Sequence, residues 1–294
     1  MTRRDPSDER SGETATLLVT CPDRTGLVAA LAQTLYGHGA NILDADQHTD
    51  PVAGQFFQRI RFETAGLHTD RLTLERAIAE VAERLSMRWR LTYAGATKRV
   101  AIFVSRYDHC LVDLLLRHRA GEIECEIAWV ASNHDTLQPL VEQFGVAFHH
   151  ILVTAQTKAE AEAAQLALIE RSRIDLVVLA RYMQILSPGF LEQCAADVIN
   201  IHHSFLPAFV GGKPYRRAYE RGVKLIGATA HYATADLDEG PIIEQDVMRC
   251  SHRDHVADLM RKGRDLEKLV LARAVRWHLQ DRVLICGNKT VVFD

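Results

Sequence analysis

The sequence predicts an α/β chain of two domains, a ferredoxin-like βαββαβ unit over residues 14–94 followed by a mostly parallel, Rossmann-like unit over residues 98–294. Its 294 residues exceed the ~150 of a typical single domain. Along residues 15–93 the apolar positions switch in order between the two-residue period of strands and the longer period of helices. After a small, polar stretch at 94–98 (AGATK), short β-branched runs alternate with helical segments, the pattern of βαβ units on a parallel sheet.

Residues 1–13 (MTRRDPSDERSGE) are polar and carry both signs of charge, so they are expected to form a disordered tail without a secretory core. Residues 15–20 (ATLLVT) are an apolar run of strand length, after which Leu27, Leu31 and Leu35 recur on one helical face. Residues 41–47 and 55–62 are β-like, the latter through Phe56, Phe57, Ile60 and Phe62, and the turn-forming Asp50, Pro51 and Gly54 between them make a hairpin. Leu74, Ile78, Val81 and Leu85 mark a second helix. Met87, Trp89, Leu91 and Tyr93 then alternate with Arg88, Arg90 and Thr92 as in a half-buried strand. In the second unit, runs at 99–104, 123–130, 146–153, 176–180 and 198–201 alternate with helical stretches near 111–119, 136–143 and 158–171. Leu259, Leu266, Leu269, Val270, Ala274 and Trp277 predict a closing helix over roughly 256–280.

Composition narrows the function classes. With 47% hydrophobic residues, 25% charged residues and a net charge of -3, the chain reads as globular rather than disordered or fibrous. The balance of 35 basic against 38 acidic residues supplies no global attraction to nucleic acid or anionic lipid, and no apolar run approaches the ~18 residues of a membrane span. Six cysteines without a C-x-x-C pair fit reduced thiols, and a cytoplasmic protein is expected.

The densest chemistry lies between Asn200 and Pro241. Asn200, His202 and Ser204 are two apart, so while the strand lasts their side chains project to the same side, at a sheet edge where ligands of open α/β folds bind. The acidic run 236–239 precedes Gly240 and Pro241, placing its carboxylates on a loop able to approach the imidazole. Amide and imidazole donors aimed at a carbonyl oxygen make an oxyanion site, and a nearby carboxylate can orient the imidazole and take a proton from a nucleophile. The same residues would equally serve as a turn cap, loop histidines and a solvated aspartate; spacing alone does not separate the two. The paired histidines at 149–150 and 202–203 cannot easily share one ion, and neither H-E-x-x-H nor a glycine-rich nucleotide fingerprint occurs. Gly211, Gly212, Lys213 and Pro214 read as a flexible loop ahead of a helix. In the first unit, residues 21–26 (CPDRTG) bridge a strand to a helix start, where a small carboxylate could bind or Asp23 or Thr25 could simply cap.

These stretches, with 104–110 (VSRYDHC), 180–187 (ARYMQILS), NIHHSFLPAFVGGKPY and GATAHYATADLDEGPIIEQD, resemble the formyltetrahydrofolate deformylases over nearly the whole chain. The resemblance implies an ACT regulatory domain at 14–94 and a formyltransferase-fold domain at 98–294. It implies hydrolysis of 10-formyltetrahydrofolate to tetrahydrofolate and formate, balancing the one-carbon pool for purine synthesis, with Asn200, His202 and Asp238 as catalytic residues. The folate pocket would be lined by Arg181, Tyr182, Met183, Ile185 and Leu186, together with His231, Ala233 and Thr234. Asp23, Arg24, Gly26 and Asn41 would hold a small amino-acid effector. No metal or other cofactor is implied, and a homo-oligomer is expected.

Two rivals are a transferase passing the formyl group to an amine and a non-catalytic amino-acid-responsive protein. Residues 105–108 (SRYD) stand where glycinamide ribonucleotide formyltransferases carry a glycine-rich phosphate turn, which argues against a phosphorylated acceptor. The end at Asp294 is expected to leave no room for the basic C-terminal domain of methionyl-tRNA formyltransferases.

Overall fold

The computed structural model describes residues 13–207 and 214–294. The expected polar tail, apart from Glu13, and residues 211–213 of the glycine loop lie outside the described residues. Two compact units emerge, one ending its main run at Thr97 and the other beginning at Lys98.

In the first unit β1 (Thr14–Pro22), α1 (Leu27–Gly37), β2 (Asn41–Asp50), β3 (Gln55–Glu63), α2 (Arg71–Arg84) and β4 (Arg88–Tyr93) follow in the expected order. The four-stranded sheet runs β2-β3-β1-β4 and every pairing is antiparallel. Leu27, Leu31 and Leu35 of α1 and Leu74, Ile78 and Ala82 of α2 pack on Leu17, Val19, Ile60 and Phe62 from one face of the sheet. Asp70 starts α2 by accepting a hydrogen bond from the Thr73 amide at 2.7 Å.

The expectation that the second domain runs unbroken to residue 294 requires correction, because Asp281–Cys286 and Val291–Asp294 belong with the first unit. The reason lies in β1, where Leu17, Leu18 and Val19 are all buried, so both faces of the strand need cover. The helices cover one face. Leu18 and Phe57 on the other pack against Phe293, flanked by Leu284, Cys286 and Val291 from the terminal strands β12 (Val283–Cys286) and β13 (Lys289–Val292). Arg59, 5% exposed, ties this side together through Nη1 to Asp44 at 3.0 Å and Nε to the Asp281 carbonyl at 3.1 Å.

The second unit alternates β5 (Arg99–Val104), α3 (His109–Arg119), β6 (Glu126–Ser132), α4 (Gln138–Gln143), β7 (Ala147–His150), α5 (Lys158–Arg171), β8 (Leu176–Leu179), α6 (Pro188–Gln193) and β9 (Asp197–His202). It continues through α7 (Pro214–Arg221), β10 (Leu225–Tyr232), β11 (Ile242–Arg249) and the long α8 (Val256–Leu279). The seven-stranded sheet has the order β11-β10-β9-β8-β5-β6-β7. The five strands from β5 to β9 are parallel, and β10 and β11 extend the sheet antiparallel. From β5 the chain winds outward through β6 and β7, then returns to lay β8 and β9 on the other side. The carboxyl ends of β5 and β8 therefore flank the crevice where open α/β sheets bind ligands.

Strands β10 and β11, which flank the acidic loop, have no counterpart among the elements the sequence predicts. β10 is buried along nearly its whole length but built of small residues, Gly227, Ala228, Thr229 and Ala230, so it lacks a conspicuous apolar run. Close approach demands them: a β-carbon on Gly227 would lie 2.8 Å from both the Asp246 carbonyl oxygen and Phe205 Cβ.

Candidate active site

β9 ends at His202, and its two-residue period brings Asn200 and His202 to one side. Antiparallel pairing sets His231 of β10 directly opposite Asn200, and Thr229 opposite His202. The chain after β10 turns back toward β11 and presents Asp238 with a left-handed backbone at φ 60, a conformation aspartate tolerates better than most side chains. The return is tight, since a β-carbon on Gly240 would sit 1.8 Å from the Tyr232 carbonyl oxygen.

These placements converge on a connected polar cluster. Asp238 Oδ1 lies 3.1 Å from His202 Nδ1 and 3.8 Å from His231 Nε2. His231 donates Nδ1–H to the Tyr232 carbonyl at 2.9 Å, which leaves Nε2 as an acceptor. Asn200 Nδ2 donates to that Nε2 at 3.2 Å, fixing the amide so that its second N–H remains to donate elsewhere. His202 Nε2 meets Ser204 Oγ at 2.8 Å. The two-residue alternation already groups Ser204 with Asn200 and His202 in the sequence, and the structure adds its contact with the imidazole.

Burial at Asp238 would raise its carboxyl, but the hydrogen bond from His202 and the nearby His202, His231 and His203 rings prevail and hold it below the usual value. Burial lowers His231 against the hydrogen bond to Tyr232. It also pushes His203 down to about 4, assisted by the charge of Arg181. The site therefore pairs an ionised Asp238 with neutral His203 and His231 at neutral pH. Since His203 and His231 bind protons less readily folded than unfolded, their contribution to stability is complete above the ordinary histidine pKa and is lost as pH falls through it toward about 4. Asp238 adds stability above the ordinary carboxylate pKa and loses it only at lower pH. Thermal unfolding should accordingly show a marked drop in melting temperature between pH 7 and pH 5, and an equal melting temperature at both would contradict these assignments.

The cluster forms one wall of a cavity of about 340 Å³. Of the residues expected to line a pocket, Arg181, Tyr182, Met183, Ile185 and Leu186 do so, as do His231, Ala233 and Thr234. Gln184, Leu191, Ala235 and Leu237 also line it. Met183, Ile185 and Leu237 are 53%, 60% and 52% exposed, an apolar rim of unusual openness. The 181–186 segment is pinned at both ends, by the Met183 amide to Ser105 Oγ at 2.9 Å and the Ser187 amide to Glu162 Oε1 at 2.9 Å. Ser105 in turn donates to Asn133 Oδ1 at 2.7 Å, so the turn after β5 serves this segment.

Among the described residues, His109, Cys110 and Glu267 place candidate ligand atoms within 4.8 Å of one another. Both Glu267 oxygens are already engaged, Oε1 by Tyr215 Oη at 2.6 Å and Oε2 by His109 Nε2 at 2.7 Å, and burial pushes the Cys110 thiol well up. This geometry is that of a satisfied buried carboxylate.

In the first unit, Gly26 rather than Asp23 or Thr25 stands at the start of α1, at φ 90, and no side chain caps the helix. Asp23, Arg24 and Gly26 share that exposed turn. Asn41 does not join them. It pairs with Glu63 and donates to its carboxylate at 3.0 Å, at the end of the sheet where β1 begins, whereas Pro22 pairs with Gln55 at the other end. Eight residues of strand at ~3.4 Å each separate the two ends by about 27 Å. α1 has carried the chain back before β2 starts.

A mostly parallel sheet that gathers an amide, an imidazole and a carboxylate at the end of β9 and the loop after β10 has the form of an enzyme site, and the comparisons narrow the class. Residues 98–275 match the formyl transferase family and residues 15–83 match the ACT domain. A formyltetrahydrofolate deformylase of Synechocystis sp. is 55% identical over 280 residues, spanning 95% of this chain and 98% of that protein. One of Bacillus subtilis is 51% identical over 100% of this chain and 99% of its own. The crystal structure of a formyltetrahydrofolate deformylase from Pseudomonas syringae pv. tomato aligns with a TM-score of 0.93 at 49% identity, covering 96% of this chain and 95% of that one. The chain belongs to the formyltetrahydrofolate deformylase family.

Proposed function

We propose that this protein hydrolyses 10-formyltetrahydrofolate to tetrahydrofolate and formate, with Asn200, His202 and Asp238 as the catalytic residues. The convergence of these three groups on one wall of an apolar-rimmed cavity carries the reading. The flat pteridine lies between the 181–186 segment and residues 233–237, with Met183, Ile185 and Leu237 covering its faces. A water molecule attacks the formyl carbon and gives its proton to Asp238, which is ionised for the task. The C–O bond forms, and the formyl oxygen becomes an oxyanion facing the second N–H of Asn200 and His202 Nε2, which releases Ser204 and shares the water proton with Asp238 so that it can donate. Collapse breaks the bond to N10, the proton held at Asp238 and His202 passes to that nitrogen, and formate departs.

The purified protein, given 10-formyltetrahydrofolate and no amine, should release formate and tetrahydrofolate in equal amounts; the absence of formate would overturn the assignment. Asn200 and His202 supply the electrophilic assistance that a metal provides in other hydrolases, so exhaustive chelation should leave the rate unchanged. Loss of activity restored by zinc would contradict that role. Among the described residues no helix is long and apolar enough to cross a membrane, which fits a cytoplasmic enzyme acting on a small polar substrate.

The first unit is proposed to take a small amino acid, whose carboxylate would meet the uncapped amides at the start of α1 beside Asp23, Arg24 and Gly26. Calorimetry with glycine and methionine should detect binding. Heats indistinguishable from dilution would remove the effector from this turn.

A further inference from the structure

A second cavity, also of about 340 Å³, adjoins the first, and Arg181, Met183 and His203 line both. Arg181 closes β8 in a left-handed backbone at φ 64, where a residue bearing a β-carbon is strained and glycine is not. Its side chain is nonetheless 92% buried by difference from an exposure of 8%, and it is held from two sides. Nε lies 3.4 Å from Glu267 Oε2, an ion pair rather than an aligned hydrogen bond, and the guanidinium carbon stands 5.0 Å from the centre of the Tyr107 ring. Glu267 is itself fixed by His109 and Tyr215. Tyr215 reaches it because Gly263 leaves room on α8, where a β-carbon would lie 2.0 Å from the tyrosine oxygen. A backbone suited to glycine thus carries a long cationic side chain locked into a buried network, and strain of this kind persists where the side chain has work to do.

We infer that Arg181 is a specificity-determining residue, whose side chain walls the second cavity off from the catalytic cluster so that water, but no amine, reaches the formyl carbon. The inference rests on the hydrolase reading and deepens it. Any second substrate must approach the formyl carbon from a space beside the folate cavity, and the second cavity is such a space. With Arg181 shortened, the two join, and a primary amine can enter. Its nitrogen attacks the formyl carbon, a new C–N bond forms, the bond to N10 breaks, and the amine proton passes to N10.

The test supplies 10-formyltetrahydrofolate with glycinamide, a small primary amine, and measures formylglycinamide and formate together for the native protein, Arg181→Gly and Arg181→Lys. The native protein should give formate with no formylglycinamide above the detection limit, and the lysine variant, whatever its rate, should keep formate the dominant product because a long cation still fills the wall. The glycine variant should raise the ratio of formylated amine to formate to about tenfold or more above the native detection limit, the scale on which single pocket contacts discriminate between substrates. A glycine variant that still releases formate but forms no formylglycinamide overturns the inference. Should that variant lose both products, Glu267→Gln decides, because it loosens the guanidinium without deleting it: a raised ratio supports the wall, and an unchanged ratio overturns it. Absence of formate from the native protein would instead defeat the hydrolase reading.

Discussion

His202→Ala should lower formate release by about 10²–10³, the typical effect of losing one oxyanion donor. His202 is 5% exposed and is held between Asp238 at 3.1 Å and Ser204 at 2.8 Å, so its ring is oriented before substrate arrives. A preoriented group that acts on charge developing at the formyl oxygen contributes in the transition state and little in the ground state. The variant should therefore lose kcat while KM changes little. Thermal unfolding of the same preparation separates this from misfolding, and a folded variant with near-native formate production would refute the role.

Asp238→Asn should be at least as damaging, with a loss of about 10²–10⁴ in rate, the range that positioned proton transfer supplies. The substitution keeps the size of the side chain and its reach toward His202, but the amide cannot take a proton from water. It also removes the negative charge that the three histidines around it stabilise. Acidification of the native enzyme should not mimic the variant between pH 8 and pH 6, since the Asp238 carboxyl is held below its usual value. A fully active Asp238→Asn protein, measured as initial rates of formate release, would remove Asp238 from the mechanism.

Much of this arrangement is written locally in the chain. The βαββαβ order follows from the Leu27, Leu31, Leu35 face and the alternation from Met87 to Tyr93, because each element there has a clear period. Asn200 and His202 were legible because they share a strand whose period is two. Features that depend on long-range pairing were not. β10 conceals itself with small residues that only its neighbours Asp246 and Phe205 explain. The terminal strands cover Leu18 and Phe57, a demand visible only once β1 is known to be buried on both faces. Glu267 holds Arg181 from the far end of the second unit, and no local pattern joins them. Asn41 was grouped with Asp23 through resemblance, whereas the register of β2 on β3 sends it to the other end of the sheet.

The measurement that tests the account most directly is a crystal structure with a non-hydrolysable 10-formyl-folate analogue bound. The account predicts the pteridine between residues 181–186 and 233–237, with the formyl oxygen ~2.7–3.1 Å from Asn200 Nδ2, as an oxyanion site requires. Asp238 should lie on the side from which water attacks, and the Arg181 side chain should remain against Glu267. An analogue seated elsewhere, or one whose formyl group points away from Asn200 and Asp238, would contradict it.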